Sequence, residues 1–255
     1  MTYRENLQKH HADIVSNFSE AKTVKQALTP EQVNELFQQQ FMLAEGAKWT
    51  SSSRNIQTRV DIDTLFKNCD WLDDIFGKIL GDYYKHHSGN FYITTQLHDA
   101  HVDLLTEDET NRFDWAKNVI PYKSCVIPLV ITDGADAHTA FFNERHIGTS
   151  ITFDRVEISS QDNSDYEIAR EYPDLYDING NVMATEEWPD KTGFLFPQIP
   201  RGNMQGFSLE TVLEFTPGDI MLFDACQIHA SCVKRSKPNY KWLKSGINLQ
   251  FYKEV

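Results

Sequence analysis

The chain has 255 residues, with 24 lysines and arginines against 37 aspartates and glutamates, for a formal net charge of −13. Hydrophobic residues make up 40% of it, enough to build a sizeable core in an ordinary globular protein. So acidic a balance argues against a surface that holds nucleic acid or an anionic membrane by bulk electrostatics, though it leaves room for a local basic channel.

The N-terminus, Met1-Thr2-Tyr3-Arg4-Glu5-Asn6, is polar and carries no signal-peptide core. Apolar runs such as Cys125–Ile131 are far too short to span a bilayer, so no membrane segment is expected. Cys69, Cys125, Cys226 and Cys232 are scattered without CxxC pairs, which reads as reduced thiols in a cytoplasmic protein.

Residues 1–28 are polar and mostly compatible with helix. Thr29-Pro30-Glu31-Gln32 is a helix start, with Thr as N-cap, Pro at the first helical position and Gln completing a capping box. Val33, Leu36, Phe37 and Phe41 continue it as an apolar stripe. Residues 46–58, rich in Ser, Thr, Lys and Asn, read as a loop, and Val60-Asp61-Ile62-Asp63 as a short strand or the entry to the next element. A second amphipathic helix fits Trp71 to Tyr84, and His86-His87-Ser88-Gly89-Asn90 reads as the turn that closes it.

Strand character begins at Phe91–Thr95 and returns in Ser124–Thr132, His138–Arg145 and Thr149–Phe153, with an acidic loop at Thr106–Asn111. Residues 154–190 hold eleven acidic residues against Arg155 and Arg170, and read either as a solvated insertion or as a lid. Leu209–Phe215 alternates apolar and polar, Thr216-Pro217-Gly218-Asp219 is a turn, and Ile220–Phe223 is a buried strand leading to His229. Gly246–Tyr252 is the last strand. Short strands at this spacing favour a barrel or sandwich.

The chemistry centres on His101-Val102-Asp103. If the preceding strand continues, positions i and i+2 share one face, and the imidazole and carboxylate can meet one metal ion. His229 then supplies a third ligand. Two histidines and a carboxylate on one face, with open positions opposite, suit non-haem Fe(II). His98, three residues from His101, would point away from it. His86 and His87 read as solvated turn residues ahead of ligands, and His138 and His146 as surface positions ahead of cavity-lining ones. Asp224 and Gln227 either orient the ligands or simply cap the strand end.

The ordered set of Tyr92, His101-Val102-Asp103, the strand Ser124–Ile131, Pro217-Gly218-Asp219-Ile220-Met221-Leu222-Phe223, His229 and Lys244–Phe251 resembles the Fe(II)/2-oxoglutarate-dependent dioxygenase superfamily. The prolyl-hydroxylase-like and phytanoyl-CoA-hydroxylase-like branches are the most similar. The resemblance implies a mainly β fold with supporting helices, a double-stranded β-helix or jelly roll of the cupin kind. It implies one oxygenase domain over 1–255, with helical support from 1–88, a β-helix core from 89–153 and 209–255, and an insertion at 154–208 as a candidate lid.

It further implies that His101, Asp103 and His229 hold Fe(II), and that 2-oxoglutarate and O2 are co-substrates. The products would be succinate, CO2 and a hydroxylated substrate. The family places a basic residue against the distal carboxylate of 2-oxoglutarate. Here that position is Lys244, somewhat further past the distal histidine than usual, with Lys123 as a rival and Lys241 as a weaker one. Arginine would grip a carboxylate through two parallel bonds, whereas lysine offers a point charge. Tyr92 matches a tyrosine that bonds the same carboxylate and is equally readable as a core aromatic. The presence of Asp103 disfavours halogenation, for which relatives lack that carboxylate. The expected partner is a small molecule or a peptide side chain rather than nucleic acid, with an acidic insertion favouring neutral or cationic substrates. A jelly-roll binding protein without turnover, and a cupin-type metalloenzyme that uses no 2-oxoglutarate, stand as alternatives.

Overall fold

The computed structural model describes residues 2–44, 50–51, 55–59, 62–81, 86–94, 97–98, 100–105, 107–112, 114–132, 137–149, 175–181, 195–196, 199, 207–232 and 243–255. Eleven strands among them form two antiparallel sheets. They are β1 Lys22–Val24, β2 Thr50–Ser51, β3 Asn55–Arg59, β4 His86–Thr94, β5 Val119–Ile131, β6 His138–His146, β7 Leu175–Tyr176, β8 Leu209–Glu214, β9 Ile220–Asp224, β10 Gln227–Cys232 and β11 Lys244–Glu254. The larger sheet runs β1-β9-β5-β11-β4-β3-β2. In the smaller, β6 is central, paired with β10 along one edge and with β8 and β7 along the other. The crossing from β9 to β10, and the return to the first sheet at β11, make this a jelly roll.

Local chemistry explains several boundaries. Helix α1 (Tyr3–Lys9) opens on a capping box between Thr2 and Glu5, and α2 (His11–Val15) follows it. Helix α3 (Pro30–Ala44) starts as expected: Thr29 N donates to Gln32 Oε1 at 2.9 Å, and Gln32 N to Thr29 Oγ1 at 3.3 Å. After α4 (Ile62–Asn68), α5 runs Trp71–Leu80 and stops at Gly81, whose φ of 69° ends the helix short of Tyr84. Thr216-Pro217-Gly218-Asp219 closes through an Asp219 N to Thr216 O bond of 3.1 Å, and Gly218 takes φ 91° at the position where this turn requires it. Asp219 then ties the turn to the β1 segment through Lys25 Nζ at 2.8 Å and the Gln26 amide at 2.9 Å.

Alternation along β11 separates two environments. Ile247, Leu249 and Phe251 face the helices, packing with Leu36, Leu65, Leu72, Phe76 and Leu80. Each such side chain removed from water contributes about 1.5–3 kcal/mol. Lys244, Gly246 and Asn248 fall on the opposite face, between the sheets. On the far side of the smaller sheet, Leu195, Phe196, Ile199 and Phe207 pack with Phe142, Val102, Cys226 and Ile228.

Several expectations are corrected. Residues 86–90 are not a turn: they begin β4 and pair along β11. Two strands, β2 and β3, lie within the stretch read as a loop, β1 within the N-terminal stretch, and the short helix α6 (Glu107–Arg112) within the acidic loop. His138 and His146 are buried, not on the surface. The lid expectation and the strand at 149–153 fall mostly outside the described residues. All four cysteines are free and buried. Among the described residues no helix is long and apolar enough to cross a membrane.

Candidate metal centre

His229 lies past β9, as its place after the Pro217-Gly218-Asp219 strand suggests, and inside the next strand, β10. His101 lies against it as a one-residue antiparallel bridge, with His101 N to His229 O at 2.9 Å and His229 N to His101 O at 3.0 Å. Residues bridged in this way project to the same face, and the two imidazole centroids lie 4.3 Å apart. Residues 102–105 follow the bridge without pairing into either sheet. The carboxylate nevertheless arrives: its Oδ1 is 3.5 Å from His101 Nε2 and its Oδ2 is 3.1 Å from His229 Nε2. One ligand atom from each of the three lies within 4.8 Å of the others, the one such cluster among the described residues.

The surroundings orient these groups. His229 Nδ1 is 3.1 Å from Gln227 O, and because a carbonyl only accepts, that nitrogen carries hydrogen and Nε2 is turned toward Asp103. The rings of Phe141 and Phe223 flank His229 at 5.8 and 4.7 Å. The Gln227 side chain is itself fixed, donating to Phe142 O at 2.9 Å. Asn248 on β11 donates from Nδ2 to Asp103 Oδ2 at 2.5 Å. Burial alone would push the Asp103 carboxyl up, but the charge and hydrogen bond of His229, together with His101 and Asn248, hold it well below the usual carboxylate range.

This cluster fits a divalent cation. His229 Nε2 faces the Asp103 carboxylate at 3.1 Å, so positive charge is called for here, as a proton on the imidazole or as a cation shared with the carboxylate. Protons on both imidazoles would supply charge but set two cations against each other. One metal ion satisfies all three groups, and the donor set of two imidazoles and a carboxylate is the one that suits Fe(II).

The triad borders a cavity of about 100 Å3 lined also by Asn90, Tyr92, His98, Val126, Thr139, Ser231, Lys244 and Asn248. Lys244 is 4% exposed, with Nζ 3.2 Å from Ser231 Oγ and 5.1 Å from the centroid of Phe215. Burial pushes its ammonium down to about 8. Tyr92 lies across Gly246, its partner in the β4–β11 register. A Cβ at 246 would stand 2.7 Å from the Tyr92 hydroxyl and 2.8 Å from Ile127 O, so only glycine admits the ring there. His98 also faces this cavity, and burial first, then the charges of His101 and Lys244, push it down to about 3, leaving it neutral.

Of the residues singled out by sequence, His101, Asp103, His229, Lys244 and Tyr92 are thus brought together. Lys123 is not among the lining residues. Its ammonium is buried in contact with Asp224 and donates to Asn17 O and Ser19 Oγ, both at 2.7 Å. Asp224 also receives Arg145 Nε at 3.2 Å, so it serves this ion cluster rather than His229. Lys241 and the tract 182–194 lie outside the described residues. Asn248 and Gly246 were not singled out in advance. Their signal is the alternation of the last strand, in which the polar and small positions 244, 246, 248 and 250 interleave with Ile247, Leu249 and Phe251.

No protein-family model matches the chain, and no curated protein matches its sequence. Solved structures align with nearly all of it. A prolyl-4-hydroxylase from Pseudomonas putida covers 96% of this chain and 99% of its own, at 11% identity and a TM-score of 0.45. The epimerase SnoN, in complex with Fe3+, alpha ketoglutarate and nogalamycin RO, aligns over 98% of this chain and 84% of its own, at 10% identity and a TM-score of 0.47. HygX from Streptomyces hygroscopicus, with nickel, 2-oxoglutarate and hygromycin B bound, aligns over 99% and 87%, at 11% identity and a TM-score of 0.44.

Proposed function

We propose that this chain is an Fe(II)- and 2-oxoglutarate-dependent oxygenase that hydroxylates a small molecule or a peptide side chain. The observation that carries the reading is the convergence of His101, Asp103 and His229 beside a cavity that holds a buried lysine. Neither feature alone distinguishes a metal-binding jelly roll from an oxygenase. Together they offer a metal face and, within the same small cavity, a cation for the far end of a dicarboxylate.

In this reading His101 and His229 bind through Nε2 and Asp103 through a carboxylate oxygen. The hydrogen bond from His229 Nδ1 to Gln227 O keeps the ligand nitrogen free of its proton. Lys244, with Ser231 beside it, takes the distal carboxylate of the 2-oxo acid, and the hydroxyl of Tyr92, which lines the same cavity, donates to the same group. Bound Fe(II) supplies the chemistry: O2 converts 2-oxoglutarate to succinate and CO2, one oxygen atom entering succinate and the other a C–H bond of the substrate. The chain keeps its carboxylate ligand, which favours hydroxylation over halide transfer. A cavity of about 100 Å3 suits a co-substrate with the tip of a substrate at its opening, which is why a small molecule or a side chain is favoured over a nucleic-acid duplex.

The test is anaerobic loading with Fe(II) and 2-oxoglutarate, admission of oxygen, and assay of succinate. Wild-type protein is expected to form succinate even without a primary substrate, slowly, and His229→Ala and Asp103→Ala to form none. Absence of succinate from wild type, or unchanged rates in both variants, would overturn the proposal.

A further inference from the structure

We propose that Asn248 is a positioning residue that restricts Asp103 to one-oxygen coordination and so preserves the third open position on the metal. The inference rests on the proposed function and concerns a residue that the metal-ligand pattern itself does not include.

Asp103 is placed so that either or both of its oxygens could reach a shared cation, with Oδ1 3.5 Å from His101 Nε2 and Oδ2 3.1 Å from His229 Nε2. A carboxylate has four lone-pair sites and can chelate through both oxygens. Chelation would bring the protein's share to four positions of an octahedral ion. A 2-oxo acid would then fill the remaining two, leaving none for O2. The Asn248 amide opposes that outcome. Its Nδ2 is 2.5 Å from Asp103 Oδ2, and since a carboxylate only accepts, the amide must present N–H there. A donor this close competes with the metal for Oδ2 and leaves Oδ1 as the ligand.

The other half of the amide supports the same role. Asn248 Oδ1 is buried with no hydrogen-bond partner among the described residues, and the residue lines the cavity. An unmet acceptor on a residue that lines the cavity suits a water held there. The backbone is fixed for the purpose: position 248 sits mid-strand in β11, paired with Asn90 on one side and Val126 on the other.

Water-proton relaxation of the Mn(II)-loaded protein counts exchangeable waters on the metal and does not depend on turnover. Wild type is expected to hold three such waters, falling to one when 2-oxoglutarate binds. Asn248→Leu, similar in size but without a donor, is expected to hold two and then none. Asn248→Ser, which restores a donor, is expected to regain the last water. Should Asn248→Leu not fold, Asn248→Ala removes the donor without crowding and carries the same expectation. Wild-type water counts in the folded, Mn(II)-bound donorless variant would overturn this inference alone. Failure of the wild-type protein to bind Mn(II) would overturn the proposed function and this inference with it.

Discussion

Replacing Lys244 with methionine removes the one lysine or arginine that lines the cavity among the described residues, while keeping most of its volume. The ammonium is 4% exposed and sits between Ser231 Oγ and the face of Phe215, so an incoming carboxylate meets it largely stripped of water. Deleting one partner of a buried charge pair costs about 3–5 kcal/mol, because the other is left unpaired. At about 1.4 kcal/mol per decade, the Kd for 2-oxoglutarate is expected to rise at least roughly 100-fold. The assay is anaerobic titration calorimetry of the Mn(II)-loaded protein. Lys123→Met is the control, since that lysine is engaged with Asp224, Asn17 and Ser19 and does not line the cavity. The pH dependence has a definite sign. Burial pushes Lys244 down to about 8, so it is charged below that pH and loses its proton above it. The charged form is the one that binds a carboxylate, so affinity should be flat below pH 8 and then weaken about tenfold per unit. Binding by Lys244→Met within threefold of wild type, or a larger loss in Lys123→Met, would refute the assignment.

Gly246→Ala should cost about 1–3 kcal/mol of stability and weaken 2-oxoglutarate binding, because its Cβ would meet the Tyr92 hydroxyl at 2.7 Å and Ile127 O at 2.8 Å. Adding Tyr92→Phe should recover only part of the loss of Tm, since the Ile127 carbonyl remains. Asp224→Asn should destabilise the fold by about 3–5 kcal/mol in denaturant unfolding, because it leaves Lys123 and Arg145 short of a buried counter-charge. Burial pushes Glu144 up to about 7, against the Ser208 hydrogen bonds that favour its charged form. A raised folded pKa means that the folded state holds the extra proton, so this contribution to stability is full below the ordinary carboxylate range and is lost as pH rises through 7. Glu144→Gln should therefore flatten the fall in Tm between pH 5 and pH 8, and an unchanged slope would count against this reading.

The parts legible in the sequence are those whose cause is local. The Thr29/Gln32 capping box, the Pro217-Gly218 turn and the alternating strand from Leu209 need no distant partner to be recognised. The triad was also legible from its spacing, and the structure adds the link that spacing does not show, an antiparallel bridge between residue 101 and His229. Strand alternation points His98 away from His101, yet the two rings lie 5.8 Å apart, and the His98 carbonyl accepts from Ser231 N on β10 at 3.2 Å. What escaped reading depends on partners remote in sequence. Residues 86–90 look like a turn by composition, yet they pair with positions 248–252 of β11. His146 looks solvated, yet it lies buried on the central strand of the smaller sheet, and burial pushes it down to about 4. Lys123 and Lys244 both read from sequence as lysines at strand starts, although β5 begins at Val119 and Lys123 lies inside it. Only the neighbours distinguish them, an ion cluster for one and an open cavity for the other.

The central claim is that the triad and Lys244 together run oxidative decarboxylation of 2-oxoglutarate, and isotope-labelled oxygen tests it most directly. Anaerobic protein loaded with Fe(II) and 2-oxoglutarate is mixed with 18O2, and the succinate is analysed by mass spectrometry. The account predicts succinate carrying one 18O atom, formed with an equal amount of CO2 and abolished in His229→Ala. Binding of both Fe(II) and 2-oxoglutarate with no succinate, or succinate without the label, would contradict it.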